Sequence, residues 1–215
     1  MKERPILFSA PMVRAILDGR KTMTRRVIKD NCPFVTGAYF DEETERWYWT
    51  TGAERERLPT DLCLGKCPHG QPGDQLWVRE TWMPFTEQGC PVGATIYRAT
   101  DHPEPDGDSP LRWNPPIFMP KSASRITLEI TAVRVERVQD ISEKDAKAEG
   151  CGGYVGGEGP MSESVLAIEP GYNHPNFFRD GFAYLWDSLN AKRDYGWDAN
   201  PWVWVLSFKR VKGGE

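Results

Sequence analysis

The sequence predicts an α+β fold in which strands dominate, and three patterns carry that expectation. Residues Arg125 to Val138 hold the longest apolar alternation, with Ile126, Leu128 and Ile130 in one phase and Val133 and Val135 in the next. A one-residue change of phase predicts a bulge, the device that bends a strand in a curved sheet. Trp202 to Val211 reads as a long final strand, and Leu76 to Glu80 as a shorter one behind a Gly73-Asp74 turn. Helical signals are fewer and short. The periodicity alone therefore gives α+β, mostly β.

The elements follow in chain order. Ser9 is placed to cap a helix, with Pro11 in its first turn. Met12, Val13, Ile16 and Leu17 form its apolar face, and Gly19 ends it as a left-handed cap. A basic segment follows, read as a loop. Residues 30–72 are loop-rich, with Trp47-Tyr48-Trp49 as a strand or hairpin. Ala94 to Thr100 reads as another strand. Prolines 103, 105, 110, 115, 116 and 120 make 101–120 a long surface loop. Ser142-Glu143-Lys144-Asp145 starts a short helix in the manner of a capping box, and Gly150 closes it. Residues 151–175 are glycine-rich. Asp180 is expected to cap an amphipathic helix with Phe182, Leu185, Trp186 and Leu189 on one stripe. The expected organisation is one domain over 1–215, with insertions at about 30–70, 101–120 and 151–175.

Composition narrows the function. The 215 residues can bury a real core, and 27% charged with 39% hydrophobic residues is a globular balance. No apolar run approaches the roughly 20 residues of a membrane helix. The first residues hold no signal-peptide core, so a cytoplasmic location without membrane contact is expected. The net charge of −4 argues against a nucleic-acid coat, and any polyanion site must be local. The five cysteines, Cys32, Cys63, Cys67, Cys90 and Cys151, are an odd set that argues against a disulfide framework. Cys63, Cys67 and His69 lie within seven residues, but no second close pair completes a zinc site, so no metal or cofactor is expected.

The most informative segment is Gly19 to Arg26, where four cations fall in seven residues after the first helix. Lys21 with Thr24 three residues on is a unit of chemistry. A desolvated amine can act as base or charge partner to the hydroxyl. Charge pattern alone would make the segment a solvated basic turn, or the nucleus of a phosphate site through Lys21, Arg25 and Arg26. There is no P-loop and no dinucleotide turn, and the three histidines, His69, His102 and His174, sit in loop-like sequence that offers no Ser-His-Asp set.

The spacing Gly19-x-Lys21-x-x-Thr24-x-Arg26 resembles the G-x-K-x-x-[ET]-x-R signature of the ASCH domain, a small PUA-like β-barrel family associated with RNA. Arg4 to Ser9, Pro72 to Trp82, and Phe182 through Val205 look like the larger version found in phages and prophages. The resemblance runs along the whole chain. It implies a mixed β-barrel with flanking short helices and loop insertions. One bacterial branch of the family hydrolyses N4-acetylcytidine to cytidine and acetate, using the motif lysine, the threonine and a glutamate from the helix after the long strand. Lys21 and Thr24 match the first two. Ser142-Glu143-Lys144-Asp145-Ala146-Lys147-Ala148-Glu149 keeps the family's helix register, which makes Glu149 the matching carboxylate. An acid at a helix C-terminus opposes the macrodipole, which hints at a task beyond solvation.

Other residues could contact substrate. Arg26 is suited to anchor a phosphate or carbonyl, because a guanidinium stays charged and forks bidentately. Arg25 shares the basic segment. Arg79 and Glu80 end a strand beside Trp82, and alternation puts Trp77 with Arg79 and Val78 with Glu80. Glu80 could be a second site carboxylate or the partner of an arginine. Trp82, Trp113 and Trp197 could stack on a base, whereas Trp186, Trp202 and Trp204 fit the core. The expected activity is amide hydrolysis on an acylated pyrimidine nucleoside. Two alternatives stand beside it: an RNA or modified-base reader without turnover, and a ribonuclease.

Overall fold

In the computed structural model, residues 1–29, 35–51, 56–57, 63–84, 94–101, 112–152 and 176–211 are described. Cys32, Cys90, His102, His174, residues 102–111 of the expected insertion at 101–120, and residues 153–175 of that at 151–175 lie outside them. The architecture is mixed α+β, with several sheets and few helices among the described residues.

The strands are β1 (Glu3–Leu7), β2 (Met23–Val27), β3 (Gly37–Asp41), β4 (Arg46–Thr51), β5 (Glu56–Arg57), β6 (Cys63–Gly65), β7 (Gln75–Arg79), β8 (Trp82–Pro84), β9 (Thr95–Tyr97), β10 (Thr127–Arg137) and β11 (Trp202–Val211). The helices are α1 (Ala10–Leu17), α2 (Glu143–Ala148) and α3 (Phe177–Asn190). The main sheet has five strands in the order β1-β7-β10-β11-β2, with β1 parallel to β7 and the other pairs antiparallel. The expected bulge is present. Ile130 pairs with Phe208 and Ala132 with Ser207, so Thr131 is the extra residue.

The interior strand β11 is buried on both faces over most of its length, which explains its nearly unbroken apolar sequence. Trp202, Trp204, Leu206 and Phe208 enter one core with Leu76, Val78, Leu128, Ile130 and the α1 residues Val13 and Ile16. Val203 and Val205 enter the other, with Ala146, Phe182 and Trp186 from α2 and α3. The β3–β4 hairpin covers the first core. Its Trp47 and Trp49 pack on Trp204 and Trp202 at centroid separations of 5.7 and 5.3 Å.

Four local expectations need correction. The basic segment is a loop only as far as Thr22, since Met23–Val27 is an edge strand. The Ala94–Thr100 strand is shorter, Thr95–Tyr97. Ser9 occupies the N-cap of α1 but its hydroxyl makes no capping bond. Helix α3 begins at Phe177, before Asp180, because the Glu143 carboxylate accepts from the Phe178 and Arg179 N–H groups at 2.6 and 2.9 Å. A side chain from α2 thereby replaces the local cap and locks the two helices together.

The sheet does not close through a backbone ladder among the described residues. Its two edges, β1 and β2, are instead joined by a side chain. Arg26 on β2 donates from Nη2 to the Leu7 carbonyl at the end of β1, at 3.0 Å. The seam so formed is where the cavity lies.

Candidate functional site

The turn between α1 and β2 is held by its backbone before any side chain acts. The Lys21 N–H donates to the Ala15 carbonyl of α1, and the Thr22 N–H to the Ala148 carbonyl at the end of α2, both at 2.9 Å. Phe208 of β11 donates back to the Thr22 carbonyl. The α2 terminus is thus pinned to the basic turn, although the two are far apart in sequence. Gly150 lets them meet. Its φ is +79°, and a Cβ there would lie 2.9 Å from the Cβ atoms of both Ala15 and Lys21.

Lys21, Thr24 and Glu149 line one cavity of about 590 Å³, and all three are buried. The Lys21 ammonium donates to Glu149 Oε2 at 2.8 Å, to the Glu149 carbonyl at 2.7 Å and to the Met23 carbonyl at 2.8 Å. A charged amine has three N–H bonds, and all three are used. This geometry belongs to a cation rather than to a base. The other carboxylate oxygen of Glu149 accepts from Arg25 Nη1 at 3.1 Å. Arg25, with a fully buried side chain, also pairs with Glu136 and Asp145, and Arg134 closes the network on Asp145 at 2.8 Å.

Thr24 and Arg26 alternate to the other side of β2. Arg26 Nη1 donates to Thr24 Oγ at 2.7 Å and to the Arg25 carbonyl at 3.0 Å. Burial lowers the Arg26 pKa from the ordinary arginine value, and Glu149 opposes the effect. Its guanidinium remains a cation, as arginine does in proteins. The Thr24 oxygen therefore faces a fixed positive charge, and its own proton has no acceptor among the described residues. Phe8 backs the site, 5.5 Å from Lys21 Nζ and 5.2 Å from Arg26 Cζ.

The opposite wall comes from α3. Phe182, Leu185, Trp186 and Leu189 line the cavity, with Asn190 and Arg193 beyond them. Leu189 is 60% exposed, so the end of the expected core stripe faces this cavity rather than the interior.

The remaining candidates are elsewhere. Glu80 is buried but spends both oxygens on Arg125, each at 2.9 Å, which is the structural pairing considered for it. Arg79 lies over the Trp77 ring at 4.6 Å. Neither residue lines the cavity, and nor do Trp82, Trp113 and Trp197. Trp197 packs edge-on against Phe182. Of the aromatic residues of the cavity, Phe182 and Trp186 were hidden in a helical stripe that reads as core, and Phe8 was not singled out.

The phosphate-site reading of Lys21 and Arg25 also changes, because both are already neutralised by buried carboxylates. The Cys63, Cys67 and His69 trio is not gathered into a ligand set. No group of three metal-ligating side chains occurs among the described residues. Burial raises the Cys67 thiol to about 11. Burial, with Arg26 and Arg4, lowers His69 to about 4. Cys151, under the site, is raised by burial to about 12. No described helix is long and apolar enough to cross a membrane.

No family model and no curated protein matches the chain. Among solved structures it is similar to protein EF3133 from Enterococcus faecalis, described as family-model DUF984. The identity is 11%, the TM-score 0.40, and the alignment covers 100% of this chain and 85% of that one. A likeness of that size carries no argument about fold or activity.

Proposed function

We propose that the chain is an ASCH-type, PUA-like amidohydrolase that removes the acyl group from an N-acylated pyrimidine nucleoside such as N4-acetylcytidine. The observation that carries the reading is the convergence of Lys21, Thr24 and Glu149 on one cavity, with the Thr24 oxygen held by Arg26.

Thr24 Oγ attacks the acyl carbon and forms an ester while the C–N bond breaks. The hydroxyl proton passes to the departing amine, giving cytidine. Water then cleaves the ester, releases the carboxylic acid and restores the hydroxyl. Arg26 stabilises negative charge on Oγ as attack proceeds. Lys21 supplies a second fixed positive charge, and Glu149 holds it in place. The base role considered for Lys21 is less consistent with an amine whose three protons are all donated. Lys21 and Arg25 are poorly suited to bind a phosphate backbone, because both are already paired with Glu149.

Incubation of the purified protein with N4-acetylcytidine and, separately, with single-stranded RNA, followed by chromatography, tests the proposal. It expects cytidine and acetate from the first and intact RNA from the second. Cleaved RNA with unchanged N4-acetylcytidine would replace it with the ribonuclease reading.

A further inference from the structure

Two cations of the cavity wall have no carboxylate. Lys21 and Arg25 share Glu149, while Arg25 and Arg134 take up Glu136 and Asp145. Arg26 and Arg193 also line the cavity, and neither makes an ion pair among the described residues. Five cations thus stand against three carboxylates, an excess of two positive charges. Arg26 is tied to Thr24 and to the Leu7 carbonyl. Arg193 is exposed, and no hydrogen bond holds its guanidinium among the described residues. Asp187 and Asp194 are near it in sequence, but neither pairs with it or lines the cavity.

Position says which part of a ligand Arg193 meets. Phe182, Leu185, Trp186, Leu189, Asn190 and Arg193 follow at helical spacing along one wall. Phe182 marks the end nearest the Lys21–Glu149 network, with its ring 5.7 Å from Arg25 Cζ. Arg193 is eleven residues further on, roughly 16 Å along at the helical rise. With an acylated pyrimidine at Thr24, that outer end faces whatever the ribose carries. A phosphate monoester bears a charge of about −1.5 to −2 near pH 7, which matches the excess. A guanidinium holds such a group bidentately. Asn190, one turn earlier on the same face, spends one amide N–H on the Trp186 carbonyl and has a second to donate.

We propose that the cavity takes a nucleoside 5′-monophosphate, with the acylated base at Thr24 and the phosphate on Arg193 and Asn190. This rests on the amidohydrolase reading, and it makes the mononucleotide, not the free nucleoside, the preferred substrate. Lys192 supplies the control. It shares the last turn with Arg193 and complements the helix dipole equally, but it does not line the cavity.

Calorimetric titration of the full chain with cytidine 5′-monophosphate and with cytidine tests the proposal. The nucleotide should bind about tenfold more tightly or better. Arg193→Ala should erase the difference, and Lys192→Ala, which removes the same charge from the same turn, should keep it. Arg193→Gln serves if the alanine variant does not fold. Equal affinities in the native chain, no binding of the nucleotide, or an equal loss in Lys192→Ala would overturn the inference. Tighter binding of a cytidine trinucleotide than of the mononucleotide would assign the outer end to a nucleic-acid chain and overturn it as well. Hydrolysis of N4-acetylcytidine alongside equal affinities leaves the amidohydrolase reading standing. A nucleotide preference without hydrolysis of N4-acetylcytidine or its 5′-monophosphate keeps the phosphate contact and overturns that reading.

Discussion

Thr24 and Lys21 share a motif, but substitution should separate them. Thr24→Ala removes an acceptor from Arg26, which keeps the Arg25 carbonyl and Leu7 as partners. Its stability cost should be about 1 kcal/mol, while turnover falls by about a thousandfold or more. Lys21→Met is different. Sequence places this lysine in a loop, where it would contribute little. The structure buries it against Glu149, and breaking such a pair by removing one partner costs about 3 kcal/mol. Urea denaturation should show that loss, and a midpoint equal to that of the native protein would contradict the assigned geometry. His69 supplies a pH dependence with a definite sign. Its folded value of about 4 lies below the ordinary 6.5, so between those limits the unfolded chain binds more protons. The associated stability is complete above about pH 6.5 and is lost as pH falls towards 4. His69→Gln should therefore flatten the acid limb of a plot of unfolding midpoint against pH. A limb of unchanged steepness would refute the burial of the neutral ring.

Elements explain why some of this was legible and some not. Strands β7 and β10 were readable from alternation at period two, β11 from an apolar run buried on both faces, and the bulge at Thr131 as a change of phase. The short helix before Glu149 was legible too, because Ser142 caps α2 at the Asp145 N–H. What failed was the assignment of 23–27 as loop. Read as a strand, the segment would have put Thr24 and Arg26 on one side and revealed their contact. The start of α3 was missed for a tertiary reason, since its cap comes from Glu143 and no local pattern records that. The junction of α1, α2 and β2 gives a prediction at this scale. Gly150→Ala places a methyl against Lys21 and forces an L-residue to a positive φ. It should cost about 1–3 kcal/mol and lower turnover by displacing Lys21. A fully active variant would show that Lys21 need not be placed so closely. Leu189→Arg on α3 should instead leave stability within about 0.5 kcal/mol while raising KM, because the side chain is exposed at the cavity wall.

At the scale of the whole molecule, Arg26 brings the two edges of the main sheet together, and the cavity lies at that seam. The internal pairing of Lys21 and Arg25 with Glu149 commits two of the cavity's cations, and Arg26 and Arg193 also line it. The central claim is that Thr24 is the nucleophile of an amide hydrolysis carried out there. The most direct measurement is kcat/KM on N4-acetylcytidine for the native protein, Thr24→Ser and Thr24→Ala, each checked for folding by its urea midpoint. The account predicts that the serine variant retains turnover and the alanine variant loses it while remaining folded. Equal turnover in all three would contradict it.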